Sequence, residues 1–257
     1  MTTPYQVSAS VTAIRSEPSV EAEQDTQLLA GEGFNVEREE NGWGYGTSTL
    51  DQYSGWVDME ALSSPVLIPT HTVKTLRTYA YSKPHIKSRP NALLSMNAKI
   101  IGGRREGKFI EAQRHGWVVA DHLRPVGDPP EADWVEVAER FLRTPYFWGG
   151  KESLGLDCSG LIQTSMEAAG LYIPRDSGDQ HQFAKDNWVP VEITPEFSGL
   201  KRGDLVFWPG HIGVMIDSET LMHANGHHME AAQESLARAA KRIEFNYAPL
   251  SGIYRAP

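Results

Sequence analysis

One cysteine, Cys158, stands in the 257 residues, so neither an internal disulfide nor a four-thiolate metal centre can staple this chain together. Whatever forms must be held by buried apolar area, and 40% hydrophobic residues suffice for packed cores in one to three domains. The cysteine lies in Leu156-Asp157-Cys158-Ser159-Gly160-Leu161-Ile162, behind the glycine-rich run from Trp148 to Gly155. After it, Leu161, Ile162, Ser165, Met166 and Ala169 recur at helical spacing as far as Gly170, a favoured residue type just past a helix end. Cys158 is thereby predicted on the first turn of a helix, with Asp157 as its N-cap. The backbone N–H groups and helix dipole there favour an anion and predict a lowered thiol pKa. Two readings stand at this point: a small buried hydrophobe or a nucleophile.

A base follows downstream. Gly203-Asp204-Leu205-Val206-Phe207-Trp208 reads as a buried strand after a Gly-Asp turn, and His211-Ile212-Gly213-Val214-Met215-Ile216 as another. Asp217-Ser218-Glu219 forms a turn before Thr220-Leu221-Met222-His223-Ala224. A hairpin centred on Asp217 sets His211 and His223 directly opposite on one face, where cross-strand Cβ atoms are about 5 Å apart. That supplies a nucleophile, a base and an orienter in the order Cys158, His211, His223.

The net charge of −9 argues against nucleic acid or a polyanionic surface as the main partner. No run of about 18 apolar residues exists to span a membrane. The start, Met1-Thr2-Thr3-Pro4-Tyr5, lacks a basic region followed by an apolar core, which reads as a cytoplasmic protein without a secretory signal.

Residues 1 to about 127 are short strand-like runs broken by Gly, Pro, Asn and Asp, an all-β pattern. A weak repeat of about 60 residues runs through it: Gly55-Trp56-Val57 before Leu62, and Gly116-Trp117-Val118 before Leu123. A turn-bounded strand precedes each copy, Trp43 to Ser48 in the first and Lys108 to Ala112 in the second. The period matches small β-barrels and resembles two bacterial SH3-like (SH3b) domains, residues 2–64 and 66–127. Proline-marked linkers at Ser63-Ser64-Pro65 and Val126 to Pro130 are short enough that the domains are expected to pack together. Beyond them, Trp134 to Arg143 reads as a helix with Val135, Ala138 and Leu142 on one face, and the remainder as an α+β unit, helices first and an antiparallel sheet after.

Five blocks in order, Pro145-Tyr146 with Trp148-Gly149-Gly150, Asp157 to Leu161, Pro174-Arg175-Asp176-Ser177, Gly203 to Phe207, and Gly210 to Val214, resemble the NlpC/P60 cysteine peptidases over about residues 131–257. The chain is similar to their dipeptidyl-peptidase VI branch, which cuts the γ-D-glutamyl-diaminopimelate bond of cell-wall peptides. The resemblance implies a multidomain chain, two all-β SH3-like barrels followed by an α+β papain-like domain. It implies Cys158, His211 and His223 as the triad, and no cofactor. It also implies substrate contacts at Tyr146, Asp157, Ser159, Asp176, Ser177, Glu23 and Tyr53. The expected substrate is a small murein peptide with a free N-terminal L-Ala, taken up for recycling. A wall hydrolase anchored by its SH3b modules, and an idle peptide-binding protein, are the alternatives.

Each residue also has a plainer reading. Tyr146 would be a core aromatic, Asp176 and Ser177 a turn or helix cap, and Glu23 a solvated glutamate like its neighbours Glu21 and Glu32. Trp148 is expected to serve packing. His223 and His227, four apart, invite zinc, but His-Glu-x-x-His is absent and Asn225-Gly226 marks a turn, so no metal is expected. His71, His85, His115, His122 and His181 follow no pattern.

Overall fold

The computed structural model describes residues 2–256. The chain divides into two compact units, Met1–Pro129 and Pro130–Pro257.

The first unit is all β. Its first half comprises β1 (Thr3–Val7), β2 (Val11–Arg15), β3 (Gln24–Leu29), β4 (Gly33–Glu40), β5 (Trp43–Ser48), β6 (Ser54–Asp58) and β7 (Leu62–Ser63), in one sheet of order β3-β2-β6-β5-β4-β1-β7. The second half comprises β8 (His71–Val73), β9 (Arg77–Tyr81), β10 (Pro90–Ser95), β11 (Lys99–Ile100), β12 (Gly102–Glu106), β13 (Phe109–Ala112), β14 (Gly116–Val119) and β15 (Leu123–Pro125). Their orders are β10-β9-β14-β13-β12 and β11-β8-β15, which retrace the first half strand by strand, except that the counterpart of β4 is broken at Ile101 into β11 and β12.

The repeat in the sequence therefore has a structural meaning. Trp56 and Trp117 lie in the corresponding strands β6 and β14, each followed by a single 3-10 turn and a buried leucine, Leu62 or Leu123. An arginine from the neighbouring part of each half lies over the indole, Arg38 at 5.0 Å from the Trp56 ring and Arg104 at 5.1 Å from Trp117. Val7, Ile14, Leu28, Phe34, Val36 and Val57 form one core. The other joins the two halves, since Leu29 and Ala30 are buried with Val73, Leu94, Ile100 and Val118.

The second unit contains α1 (Trp134–Arg140), β16 (Lys151–Glu152), β17 (Gly155–Leu156), α2 (Cys158–Ala168), α3 (Ser177–Asn187), β18 (Val189–Pro190), β19 (Asp204–Trp208), β20 (His211–Met215), β21 (Thr220–Asn225), β22 (Glu230–Ser235), α4 (Leu236–Asn246) and β23 (Gly252–Arg255). Its main sheet runs β18-β23-β19-β20-β21-β22, and every pairing is antiparallel. The helices do not all come first: α4 is inserted between β22 and β23, turning Leu236, Ala239 and Ala240 inward onto Val206, Trp208, Met215 and Leu221.

α1 is shorter than its pattern implies. It ends at Arg140, Phe141 rather than Leu142 is buried, and Arg143 adopts a φ of 70° that no helix continues through. Among the described residues, no helix is long and apolar enough to cross a membrane.

Candidate active site

α2 begins at Cys158 because Asp157 caps it. The Asp157 backbone is extended, and its carboxylate accepts the Gly160 N–H at 2.6 Å and, from the glycine-rich loop, the Gly149 N–H at 3.0 Å. Loop and helix close tightly here, since a Cβ on Gly160 would lie 2.1 Å from the Gly150 carbonyl oxygen. At the other end Gly170, with φ 73°, follows the C-cap Ala169.

Arg175 completes this mount. Its guanidinium forks onto Asp157, Nη1 to Oδ1 at 3.0 Å and Nη2 to Oδ2 at 2.8 Å, and also donates to Ser159 Oγ at 2.8 Å and to the Gly150 carbonyl at 3.2 Å. Gln180 of α3 ties the same region down, its Nε2 donating to the carbonyls of Ser159 at 3.0 Å and Pro174 at 2.8 Å. Asp157 and Ser159, expected as substrate contacts, are buried in this network, where their side chains hold the start of the helix.

β20 and β21 bring the histidines. They pair Val214 with Met222 and Met215 with Leu221, which centres the hairpin on Ser218 rather than Asp217. The cause is local: Asp217 Oδ1 accepts the N–H groups of Glu219 at 2.8 Å and Thr220 at 2.7 Å, carrying the turn one residue further. Moving the centre by one moves each partner by two, so both histidines keep their face but become diagonal neighbours. Continuing the register sets His223 opposite Gly213, where a Cβ would come 3.1 Å from that of His223; glycine leaves the space through which the imidazoles meet. His211 Nε2 and His223 Nδ1 are 2.8 Å apart. His223 is fully buried, and its Nε2 lies 2.9 Å from Glu234 Oε1, which in turn is ion-paired with Arg242 of α4.

α2 packs on β20, and the N–H of Ile212, the residue after His211, hydrogen-bonds toward the Cys158 sulfur together with the N–H of Ser159. The expected lowering of the thiol pKa is overturned. Burial, then the Asp157 carboxylate, push the Cys158 thiol up to about 12, and the two N–H donors and Arg175 only draw it part of the way back. Burial, then His223 and Arg242, hold His211 down to about 3, with Glu234 opposing. Both groups are therefore neutral between those values. Alkylation of Cys158 by iodoacetamide in the absence of substrate is accordingly expected to rise about tenfold per pH unit from pH 7 to 9, following the thiolate fraction; a rate already flat from pH 5 upward would contradict it.

Tyr146 is half-buried, and its hydroxyl pKa is raised by burial and by the neighbouring Cys158 and Asp157. Asp176, exposed, occupies the N-cap position of α3 without capping it through its side chain, and Ser177 opens that helix. Trp148, expected to serve packing, is 60% exposed. In the first unit Glu23 is exposed ahead of β3, and Tyr53 packs in part against the core around Phe34. A cavity of about 640 Å³ opens beside His211, lined by His223, Asn225, His227, Arg242 and Tyr247 among others. His228, rather than His227, offers a ring nitrogen within 4.8 Å of an imidazole nitrogen of His223 and a carboxylate oxygen of Glu234.

Arg175, Glu234 and Arg242 were not singled out by sequence reasoning. Arg175 stands inside the Pro174-Arg175-Asp176-Ser177 block, which was a usable signal.

Residues 143–243 match the NlpC/P60 family, and residues 14–62 match the bacterial dipeptidyl-peptidase Sh3 domain. Dipeptidyl-peptidase 6 of Lysinibacillus sphaericus is 37% identical over 92 residues, 35% of this chain and 31% of that protein. The gamma-D-glutamyl-L-lysine dipeptidyl-peptidase of Bacillus cereus is 32% identical over 129 residues, 47% of this chain and 33% of that protein. The match thus spans about a third of the length of these curated relatives. In fold, the crystal structure of an NlpC/P60 family protein from Bacillus cereus superposes with a TM-score of 0.80, covering 98% of this chain and 99% of the other at 18% identity. The chain therefore combines an NlpC/P60 domain with a bacterial SH3 domain ahead of it.

Proposed function

We propose that this NlpC/P60 chain is a cysteine endopeptidase that cuts the γ-D-glutamyl-diaminopimelate bond of murein-derived peptides bearing a free N-terminal L-Ala, a recycling step of the cytoplasm. The observation that carries the reading is a thiol on a capped helix start, set against the strand that presents His211, with His223 2.8 Å behind that imidazole.

In the first step the Cys158 proton passes to His211 Nδ1 as Sγ bonds to the γ-carbonyl carbon of D-glutamate, and the carbonyl electron pair moves onto oxygen. The oxyanion is met by the Cys158 N–H and by the Tyr146 hydroxyl, whose raised pKa keeps its proton in place to be donated. Collapse breaks the C–N bond, and His211 gives its proton to the leaving amine. Water, deprotonated by His211, then attacks the thioester, releasing L-Ala-D-Glu and returning the proton to Cys158. Tyr146→Phe is expected to lower kcat about 10²-fold with KM nearly unchanged, the cost of one oxyanion donor, as read from steady-state rates; an unchanged kcat would remove Tyr146 from this role.

Asp176 is assigned the α-ammonium of L-Ala, with Ser177 beside it, because a carboxylate is the charge complement of that group. Mass spectrometry of the products from L-Ala-γ-D-Glu-diaminopimelate and its N-acetylated form tests the whole reading. Only the free peptide is expected to be cut, after D-glutamate. Cleavage of both would overturn the amino-end gate and favour a wall hydrolase, and cleavage of neither would overturn the activity.

A further inference from the structure

We infer that Glu234 is a positioning residue of this site, a carboxylate that fixes the protonation pattern of both histidines so that His211 offers a lone pair to Cys158. The inference deepens the peptidase reading and rests on it for its kinetic consequence, though not for its structural one.

The hydrogen bonds that run from Glu234 through His223 to His211 fix where each proton lies. A neutral imidazole has one N–H and one bare nitrogen. His223 is fully buried, and each of its nitrogens has one close partner: His211 Nε2 at 2.8 Å from Nδ1, and Glu234 Oε1 at 2.9 Å from Nε2. The Arg242 guanidinium, ion-paired to Glu234, and the hydrogen bond from His223 hold the carboxyl down to about 2 against the opposing effect of its own burial, so it is ionised throughout the neutral range. An ionised carboxylate only accepts. His223 must therefore donate from Nε2, which leaves Nδ1 bare. A bare Nδ1 accepts, so His211 must donate from its own Nε2. That leaves Nδ1 of His211 without a proton, and Nδ1 is the nitrogen that takes the proton from Cys158.

Remove the carboxylate and the pattern loses its anchor. His223 is then free to carry its proton on Nδ1 and donate to His211 Nε2; His211 must move its own proton to Nδ1 and ceases to be a base toward the thiol. The same carboxylate also faces the charge that develops when His211 becomes an imidazolium, transmitted through neutral His223. The other groups around this chain do not replace it: Arg242 of α4 is a cation, and His228, whose ring centre is 6.4 Å from that of His223, has its Nδ1 against Asn225 Oδ1 at 3.0 Å. β22 delivers Glu234 by the device that joins the histidines, because His223 pairs with Ala232 and Glu234 lies two residues along on the same face.

Two variants separate the parts. Glu234→Gln keeps the shape and an acceptor oxygen but not the charge; Glu234→Ala keeps neither. The first readout is nitrogen-15 NMR of the histidine rings in protein without substrate, which reports tautomers directly. Wild type is expected to show both His211 and His223 protonated at Nε2, Gln to retain most of that pattern, and Ala to shift His211 toward protonation at Nδ1. The second is the kinetics of the tripeptide: about a tenfold loss in kcat for Gln and about a hundredfold for Ala, with KM little changed. A wild-type tautomer pattern in the folded Ala variant overturns the inference, as does a kcat for that variant within twofold of wild type. If wild type cuts no tripeptide, it is the peptidase reading that fails, and the NMR comparison still decides the role of Glu234.

Discussion

Cys158→Ala should abolish turnover while leaving the fold in place. The sulfur is the only atom in the site that forms a bond to substrate in the proposed cycle, and without it His211 has no thiol to deprotonate. Removing the nucleophile from a catalytic unit of this kind costs more than about 10⁴-fold in kcat. The fold has no comparable reason to suffer. Asp157, not Cys158, caps α2, and the substitution trades one buried sulfur for the residue with the best helix propensity. Product analysis beside a thermal melt checks both halves, and hydrolysis persisting in the variant would sink the mechanism.

The second large effect is expected on stability rather than on chemistry. Arg175→Ala strands the Asp157 carboxylate in a site where Asp157 and Arg175 are both buried and doubly hydrogen-bonded to each other. Breaking a buried ion pair by deleting one partner costs about 3–5 kcal/mol. In a unit of this size that lowers the melting temperature by on the order of 10 °C. Asp157→Asn is expected to cost less, since a neutral amide still accepts from Gly149 or Gly160. Equal melting temperatures for Arg175→Ala and wild type would show that the pair does not hold the start of α2.

How much of this was legible beforehand differs residue by residue. The cap at Asp157, the helix behind Cys158 and the three buried strands follow from local rules, because capping and strand burial are decided within a few residues. The β repeat was readable because Gly-Trp-Val marks the same strand twice. The hairpin register was not: whether Asp217 is the centre or the first residue of the turn depends on which N–H groups its carboxylate collects. The error left the histidine pair intact only because a two-residue slip preserves the face.

Arg175 escaped for a different reason. Its partner lies 18 residues earlier, and nothing local says that the segment before α3 folds back against the start of α2. Glu234 required knowing that β22 pairs with β21 at all. The sign of the Cys158 shift failed because a helix start can be recognised in a motif, whereas full burial of the thiol cannot.

The central claim, a thioester on Cys158, is tested most directly by partitioning. The tripeptide is hydrolysed in the presence of increasing hydroxylamine, and the acyl products are counted by mass spectrometry. A covalent intermediate predicts that the hydroxamate of L-Ala-D-Glu grows at the expense of the free acid, because both nucleophiles compete for one acyl-enzyme. Free acid alone at every hydroxylamine concentration would mean that water attacks the peptide directly, and Cys158 would not be the nucleophile.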